Sequence, residues 1–459
     1  MTSRAADADE SVDEPASLAD PADAGGDSAD AGGDSADAGA SRVRRARWRP
    51  DWVKWRKVLL IFLICKVAAF GVGAVAVTVM EFPRQQIQPT GQLWPDELSA
   101  ANFGPVTMWQ HFDSEHYVAL VGKDYLQPLT PEERQQIKQA RAGERFSVPQ
   151  SLHRFTFGPL YPLLGKPLAP LVGAATSLWI ISNIAMLACI ALMYDLTHTV
   201  FAKRAGPRGA GVTPLDATTW LVVLPSAFLL QAVLTESLFL ALVLAAFVLA
   251  ERRRWGWAVL ACAGFALTRS SGFVLALPLG LIALRQGGYS FVRWESWKNY
   301  LKAAPAILAP IAAWGGFLLY CRRMTGDLLA YSHLQYAGWG VVAGPPTDFW
   351  KPLLTGEFGQ PLVKMLSVLL IGALLVSGVR LIPLAYQVTG WLLLLVPLMI
   401  GEKWQQSIWR YAVEVFPLAW VLSHWLRRPN SRIAGVAVSS ALQGVLLLAW
   451  LMSWTRVIV

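Results

Sequence analysis

The chain contains 459 residues, of which 54% are hydrophobic and 15% are charged. Soluble globular proteins carry roughly 25% charged residues, so this composition excludes an ordinary soluble enzyme. Apolar blocks of about the 20 residues needed to cross a bilayer recur along the chain, which predicts an all-α polytopic membrane protein. Strands of a membrane barrel alternate apolar and polar residues, so the continuous runs exclude that architecture. The net charge of +9 comes from basic residues in short loops, which indicates membrane topology and not nucleic-acid binding.

The N-terminal region differs in composition from the membrane body. Residues 1–40 hold one Arg and 11 Asp/Glu, and GGDSADA occurs twice in tandem at 25–31 and 32–38. Residues 1–41 have too few apolar side chains to offset the entropy of ordering the chain, so we expect a disordered acidic tail. The segment 42–57 has eight Lys/Arg, one acid and three Trp. It is typical of an interfacial anchor on anionic lipid, which predicts a cytoplasmic N-terminus.

From that orientation the first span runs outward and leads into a long, polar extracytoplasmic loop over 81–155. We expect about 11 spans in a single membrane domain over 58–459. An alternative for the segment 157–172 is a re-entrant helix that enters the membrane without crossing it. The inside loops are basic, although Arg322 and Arg323 fall outside against this rule. The predicted spans are 58–80, 174–197, 216–233, 237–250, 256–268, 271–285, 303–320, 361–379, 381–400, 411–426 and 433–453.

The four cysteines do not form a recognisable metal or disulfide pattern. They lie in or beside apolar segments, with no CxxC and no histidine at zinc spacing. We therefore expect buried, small hydrophobic side chains with no disulfide framework and no structural metal.

Ionisable residues near the span ends share one face of the membrane. On its own, such a residue costs about 3 kcal/mol in hydrocarbon, so several together usually face a shared cavity and pair with each other or a ligand. The alternative for a single Glu or Arg at a hairpin is a solvated turn or an interfacial side chain. His116 taken singly is more typical of a packing or hydrogen-bonding residue than of a metal ligand. The set comprises Asp113, Glu115, His116, Glu236, Arg269, Asp327, His333 and Arg410.

This set suggests a particular chemistry. A carboxylate at the membrane surface can act as general base for an acceptor hydroxyl, while nearby cations neutralise a leaving phosphate. That combination suits the transfer of a sugar from a lipid phosphate. The spacing of FDSEH is weak evidence by itself, because D-x-x-H is common by chance.

Five segments in order carry a resemblance to a known family. They are HFDSEHYVALVGKDY, FTFGPLYPLL, the stretch from LTESLF to TRSSGFVL, TGDLLAYSHLQYAGWG and WRYAVEVFPLAW. In this order they resemble the bacterial relatives of the PIG-V mannosyltransferases, over about residues 58–430. The family's first-loop pattern has Trp where this chain has Phe112 and Gly where it has Asp124, while the acid is retained as Asp113.

The resemblance implies a multi-span helical bundle of the GT-C glycosyltransferase type in the bacterial cell membrane. It also implies a polyprenyl-phosphate sugar donor, usually mannose, and an acidic catalytic residue in the first extracytoplasmic loop. The acceptor is a glycan, glycolipid or protein that the sequence does not specify. No cofactor is required, although Asp113 and Glu115 could hold a divalent metal.

The resemblance to this family implies hypothetical roles for individual residues. Asp113 would be the general base of a direct inverting displacement, with Glu115 and His116 beside it in the catalytic loop. Arg269 and Arg410 would bind the lipid phosphate, and Glu236 would orient one of them. The remaining candidates for donor or acceptor contacts are Asp327, His333 and Tyr117.

Two other functional classes fit the same composition. A transporter or flippase of a lipid-linked or anionic substrate would also have a polar cavity between its helices. Against it, the polar residues cluster on one face, and no inverted repeat or pair of broken helices is apparent. A non-catalytic membrane scaffold whose loop binds a partner is the third class.

Overall fold

A computed structural model describes residues 51–79, 103–202, 211–356, 359–405 and 407–451. The acidic tail, residues 42–50 and the first part of the predicted extracytoplasmic loop lie outside these ranges. Within them the chain is helical and has no β-strand, only an isolated parallel bridge between Gly344 and Ile400. The expected all-α architecture is therefore confirmed for the described residues.

Eighteen α-helices are present in the described ranges. The first nine are α1 Trp52–Val79, α2 Ser114–Val121, α3 Pro131–Arg141, α4 Leu160–Gly165, α5 Ala169–Val172, α6 Ala174–Phe201, α7 Pro214–Val223, α8 Glu236–Glu251 and α9 Trp255–Thr268. The others are α10 Ala276–Gln286, α11 Trp294–Thr325, α12 Ala330–Trp339, α13 Lys351–Leu354, α14 Gln360–Ser377, α15 Leu384–Leu395, α16 Ile408–Ala412, α17 Pro417–Trp425 and α18 Pro429–Leu451.

Five of the described helices, α1, α6, α11, α14 and α18, are long and apolar enough to cross a membrane. Their outward faces are apolar as well, with Leu60 59% exposed and Val67 72% exposed on α1. Such exposed apolar surface is unfavourable in water and is the surface that lipid covers. The protein is therefore a membrane protein.

Each of the 11 predicted spans contains helix, but several are shorter or broken. The segment predicted at 216–233 ends its α-helix at Val223, because Leu224 takes an extended conformation before Pro225. A residue before proline is disfavoured in helical backbone. The segment predicted at 411–426 is divided between α16 and α17. The number of spans stays a prediction beyond the five long helices.

Packing of the segment between α1 and α6 places the elements that surround the candidate site. α3 begins with a capping box, in which Thr130 Oγ1 accepts from the Glu133 backbone N–H and the Glu133 carboxylate accepts from the Thr130 N–H. Its apolar face, including Ile137, packs in a second core cluster with Leu334 of α12. α2, α3 and α12 thus lie around one region of the protein.

A close backbone contact connects this region to the end of α9. A Cβ at Gly158 would lie 2.3 Å from the carbonyl oxygen of Thr268. Only glycine allows the backbone to approach so closely. The contact holds the turn before α4 against the residue that precedes Arg269.

Candidate active site

Five charged side chains from four parts of the chain meet in one buried cluster. Asp113 immediately precedes α2, and Glu236 is the first residue of α8. Arg269 follows the last residue of α9, Arg410 lies in α16, and Glu414 lies between α16 and α17. Ends of helices that are far apart in sequence therefore converge here; we call these five residues the charged cluster.

The two arginines bridge the three carboxylates. Arg410 donates through Nη1 to Asp113 Oδ2 and through Nε to Glu236 Oε1. Arg269 donates through Nη2 to the same Glu236 oxygen at 2.8 Å and through Nη1 to Glu414 Oε1. Arg269 Nε also donates to Thr235 Oγ1 at 3.0 Å. Glu236 is thus the shared acceptor at the centre, and the cluster has a net charge of −1 when all five side chains are ionised.

The members of the charged cluster differ in their access to solvent. The Glu236 side chain is 0% exposed and that of Glu414 is 1% exposed. The Asp113 side chain is 26% exposed, against 5% for its partner Arg410. Asp113 is therefore the carboxylate of this cluster that a substrate can reach.

The ionisation of Asp113 is set by two opposing effects. Burial acts to raise the pKa of its carboxyl, because a charged group loses hydration there. The charge of Arg410 and its hydrogen bond to Asp113, together with the interactions with His116 and Arg269, outweigh burial and hold the pKa below its ordinary value. Asp113 is consequently a carboxylate at neutral pH and can accept a hydrogen bond from a hydroxyl group.

Backbone geometry and one tryptophan fix the segment that carries Asp113. Phe112 has a φ of +56°, which is a strained conformation for a bulky side chain. Its ring packs 4.9 Å from the ring of Trp450 in α18, and the Trp450 indole N–H donates to the Met108 carbonyl at 3.0 Å. Trp450 is 0% exposed. The last long helix thus positions the loop before Asp113.

We expect Trp450→Phe to loosen this segment. The variant removes the indole N–H from the Met108 carbonyl, a loss of about 1 kcal/mol, and leaves a gap beside Phe112. Hydrogen–deuterium exchange in nanodiscs should become faster over residues 107–117. Trp425→Phe is the matched control, because Trp425 is 60% exposed. Equal exchange rates in Trp450→Phe and wild type would show that Trp450 does not hold the loop.

A cleft of about 410 Å³ opens beside α2. Its lining includes Glu115 and His116, which follow Asp113 by two and three residues, and His153 and Trp339. The imidazole rings of His116 and His153 lie 4.2 Å apart, and the Trp339 ring is 6.0 Å from His116. Burial lowers the pKa of His153 to about 3, with the neighbouring His116 contributing, so its imidazole is neutral at physiological pH.

Of the other predicted residues, Asp327 and His333 form a pair of their own, whereas Tyr117 lies beside the charged cluster and its backbone N–H donates to the Asp113 carbonyl at 3.3 Å. Asp327 and His333 pair with each other, with His333 Nδ1 2.6 Å from Asp327 Oδ2. Tyr117 is only 4% exposed, and its ring packs against Phe157 at 5.2 Å. Within the described ranges, no group of three or more His, Cys, Asp or Glu side chains is placed to hold a metal ion.

The sequence-based set therefore contains four of the five members of the charged cluster. Glu414 was missed, although it follows Arg410 by four residues, a spacing that places two side chains on the same side of a helical turn. The two arginines were predicted to bind a lipid phosphate, and the structure shows both of them bound to carboxylates.

Comparison with known proteins does not assign the chain to a family. No family model matches it, and no curated protein matches it.

Proposed function

We propose that this protein is a membrane glycosyltransferase. It moves a sugar, with mannose the first candidate, from a polyprenyl-phosphate donor to an acceptor hydroxyl on the extracytoplasmic side of a bacterial cell membrane. One observation carries the proposal: a partly exposed, ionised Asp113 is held by Arg410 beside a cleft in a membrane protein. The order of the five family-like segments and the basic segment before α1 support the reaction class and the orientation.

In the proposed reaction Asp113 acts as general base. Its carboxylate takes the proton of the acceptor hydroxyl as the acceptor oxygen attacks the anomeric carbon of the donor sugar. The bond from that carbon to the phosphate oxygen breaks, and the polyprenyl phosphate leaves with the electron pair. A single displacement of this kind inverts the configuration at the anomeric carbon.

Arg410 couples the proton transfer to the departure of the phosphate. While Asp113 is ionised, Arg410 Nη1 donates to it. Protonation of Asp113 neutralises that acceptor at the moment when negative charge develops on the leaving group. The guanidinium, whose positive charge is then less compensated, can turn one donor toward the phosphate. This step explains how an arginine bound to carboxylates in the resting protein serves a phosphate during the reaction.

The test is transfer of labelled sugar by the full chain in nanodiscs. Polyprenyl-phosphate mannose, and in parallel polyprenyl-phosphate glucose, are supplied with a lipid and glycan extract, and the product is identified by mass. Transfer of label to a new product is the expected result. Absence of transfer from either donor, with the protein monodisperse, would contradict the proposal. Movement of the intact lipid-linked sugar across proteoliposomes without transfer would favour a flippase instead.

The pH dependence of this transfer should have no acid limb near neutrality. Asp113 must be deprotonated to act as a base, and its lowered pKa keeps it deprotonated down to below the ordinary Asp value of about 3.9. We therefore expect kcat/KM to be constant between about pH 5 and 7 as the pH falls. A limb with an apparent pKa between 5 and 7 that persists in Asp113→Glu would identify a different base.

A further inference from the structure

We infer that the cleft lined by Glu115, His116, Ser147, Gln150, His153 and Trp339 binds an uncharged pyranose, the acceptor sugar. We call it the acceptor cleft. Its volume of about 410 Å³ lies within the roughly 300–1,000 Å³ of small-molecule sites. The acceptor role rests on the proposed function, whereas the binding of an uncharged saccharide does not.

The lining provides both surfaces that a pyranose presents. The half-buried indole of Trp339 offers an apolar ring for the C–H face of the sugar. The Ser147 hydroxyl, the Gln150 amide and the Glu115 carboxylate supply hydrogen-bond donors and acceptors for sugar hydroxyls. A few polar groups around an aromatic side chain give the orientation and specificity that a small ligand needs.

Charge distinguishes the acceptor cleft from a phosphate site. None of the described residues that line it is a lysine or arginine, and Glu115 is its acidic member. Arg145 lies close by, but its Nε donates to the Ala337 carbonyl at 3.1 Å and its guanidinium lies over the Tyr336 ring. An anionic headgroup would therefore meet repulsion from Glu115 with no lysine or arginine in the lining to offset it. An uncharged polyol meets no such cost.

The acceptor cleft lies beside Asp113, the proposed base. Glu115 and His116 lie in the first turn of α2, directly after Asp113. The His116 backbone N–H donates to the Asp113 carbonyl at 3.1 Å, so the two residues are neighbours in one turn. A sugar in the cleft can thus direct one hydroxyl toward Asp113, while its other hydroxyls contact Ser147 and Gln150.

Ligand-observed saturation-transfer NMR on the full chain in nanodiscs tests this inference. The probes are the methyl α-pyranosides of mannose, glucose and galactose, with glucose 6-phosphate as the anionic comparison. We expect at least one methyl pyranoside to bind in the millimolar range and glucose 6-phosphate to bind more weakly. Gln150→Leu and Trp339→Ala should each weaken the affinity about tenfold.

Control variants separate this inference from the proposed function. Gln127→Leu is the matched control, because Gln127 is an exposed glutamine of the same extracytoplasmic region. Asp113→Asn should keep saccharide binding while it loses transfer. Binding that is unaffected by Gln150→Leu, preference for the sugar phosphate, or no binding of any probe by a monodisperse protein would each overturn the inference. If the wild type bound a saccharide but transferred no sugar, the proposed glycosyltransferase activity would be wrong and the inferred saccharide site would stand.

Discussion

Asp113→Asn is expected to abolish sugar transfer without unfolding the protein. Loss of a positioned general base lowers the rate by ~10² to 10⁴-fold. The amide oxygen of asparagine can still accept from Arg410 Nη1, which holds Asp113 in the wild type, so the loop geometry should persist. The assay is transfer from polyprenyl-phosphate mannose, with kcat and KM measured separately. We expect the loss to appear in kcat, with KM for the donor little changed.

Glu132→Gln provides the matched control for this variant. Glu132 lies in the first turn of α3, in the same segment between α1 and α6, and its side chain is exposed. Removal of its charge should leave transfer unchanged. If Asp113→Asn retained transfer within about threefold of the wild type, Asp113 would not be the base. The proton would then have to go to another group near the acceptor cleft.

Composition and the predicted topology assign to one membrane face four residues that the structure brings together in the charged cluster. Asp113 and Arg410 are 297 residues apart, yet the sequence assigns both to that face, Asp113 in the first predicted outside loop and Arg410 at the start of the tenth predicted span. A buried charge needs a partner, so their convergence follows from the cost of leaving either alone in the membrane. The same reasoning from the sequence includes Glu236 and Arg269.

The sequence could not predict which of those residues meet. Asp327 and His333 share the assigned face but pair with each other, because residues six apart around a helix start can meet locally. Topology gives the depth of a residue in the membrane and no information on its lateral position. The role of Trp450 was also hidden, since an indole within an apolar span is indistinguishable from ordinary core until its N–H is seen on the Met108 carbonyl.

The charged cluster predicts an unequal response to the removal of its two arginines. Arg269→Met removes the guanidinium that donates to Glu414, a carboxylate only 1% exposed. It also removes one of the donors to Glu236. Removal of one partner of a buried ion pair costs about 3 to 5 kcal/mol, because the other charge stays buried and uncompensated. Arg410→Met also takes one donor from Glu236, but its other partner, Asp113, is 26% exposed and can recover hydration. We therefore expect Arg269→Met to lower the thermal unfolding midpoint in detergent much more than Arg410→Met.

The double variant Arg269→Met/Glu414→Leu distinguishes a charge effect from a packing effect. It removes both partners of one buried pair, and the remaining Asp113, Glu236 and Arg410 keep the original net charge of −1. Replacement of a whole buried pair by apolar side chains is often neutral for stability, so the unfolding midpoint should return toward that of the wild type. If the double variant is as unstable as Arg269→Met, the arginine stabilises the protein through packing, for example against the Tyr411 ring 4.9 Å from its guanidinium. Recovery of the midpoint without recovery of transfer would show that the pair is retained for the reaction and not for the fold.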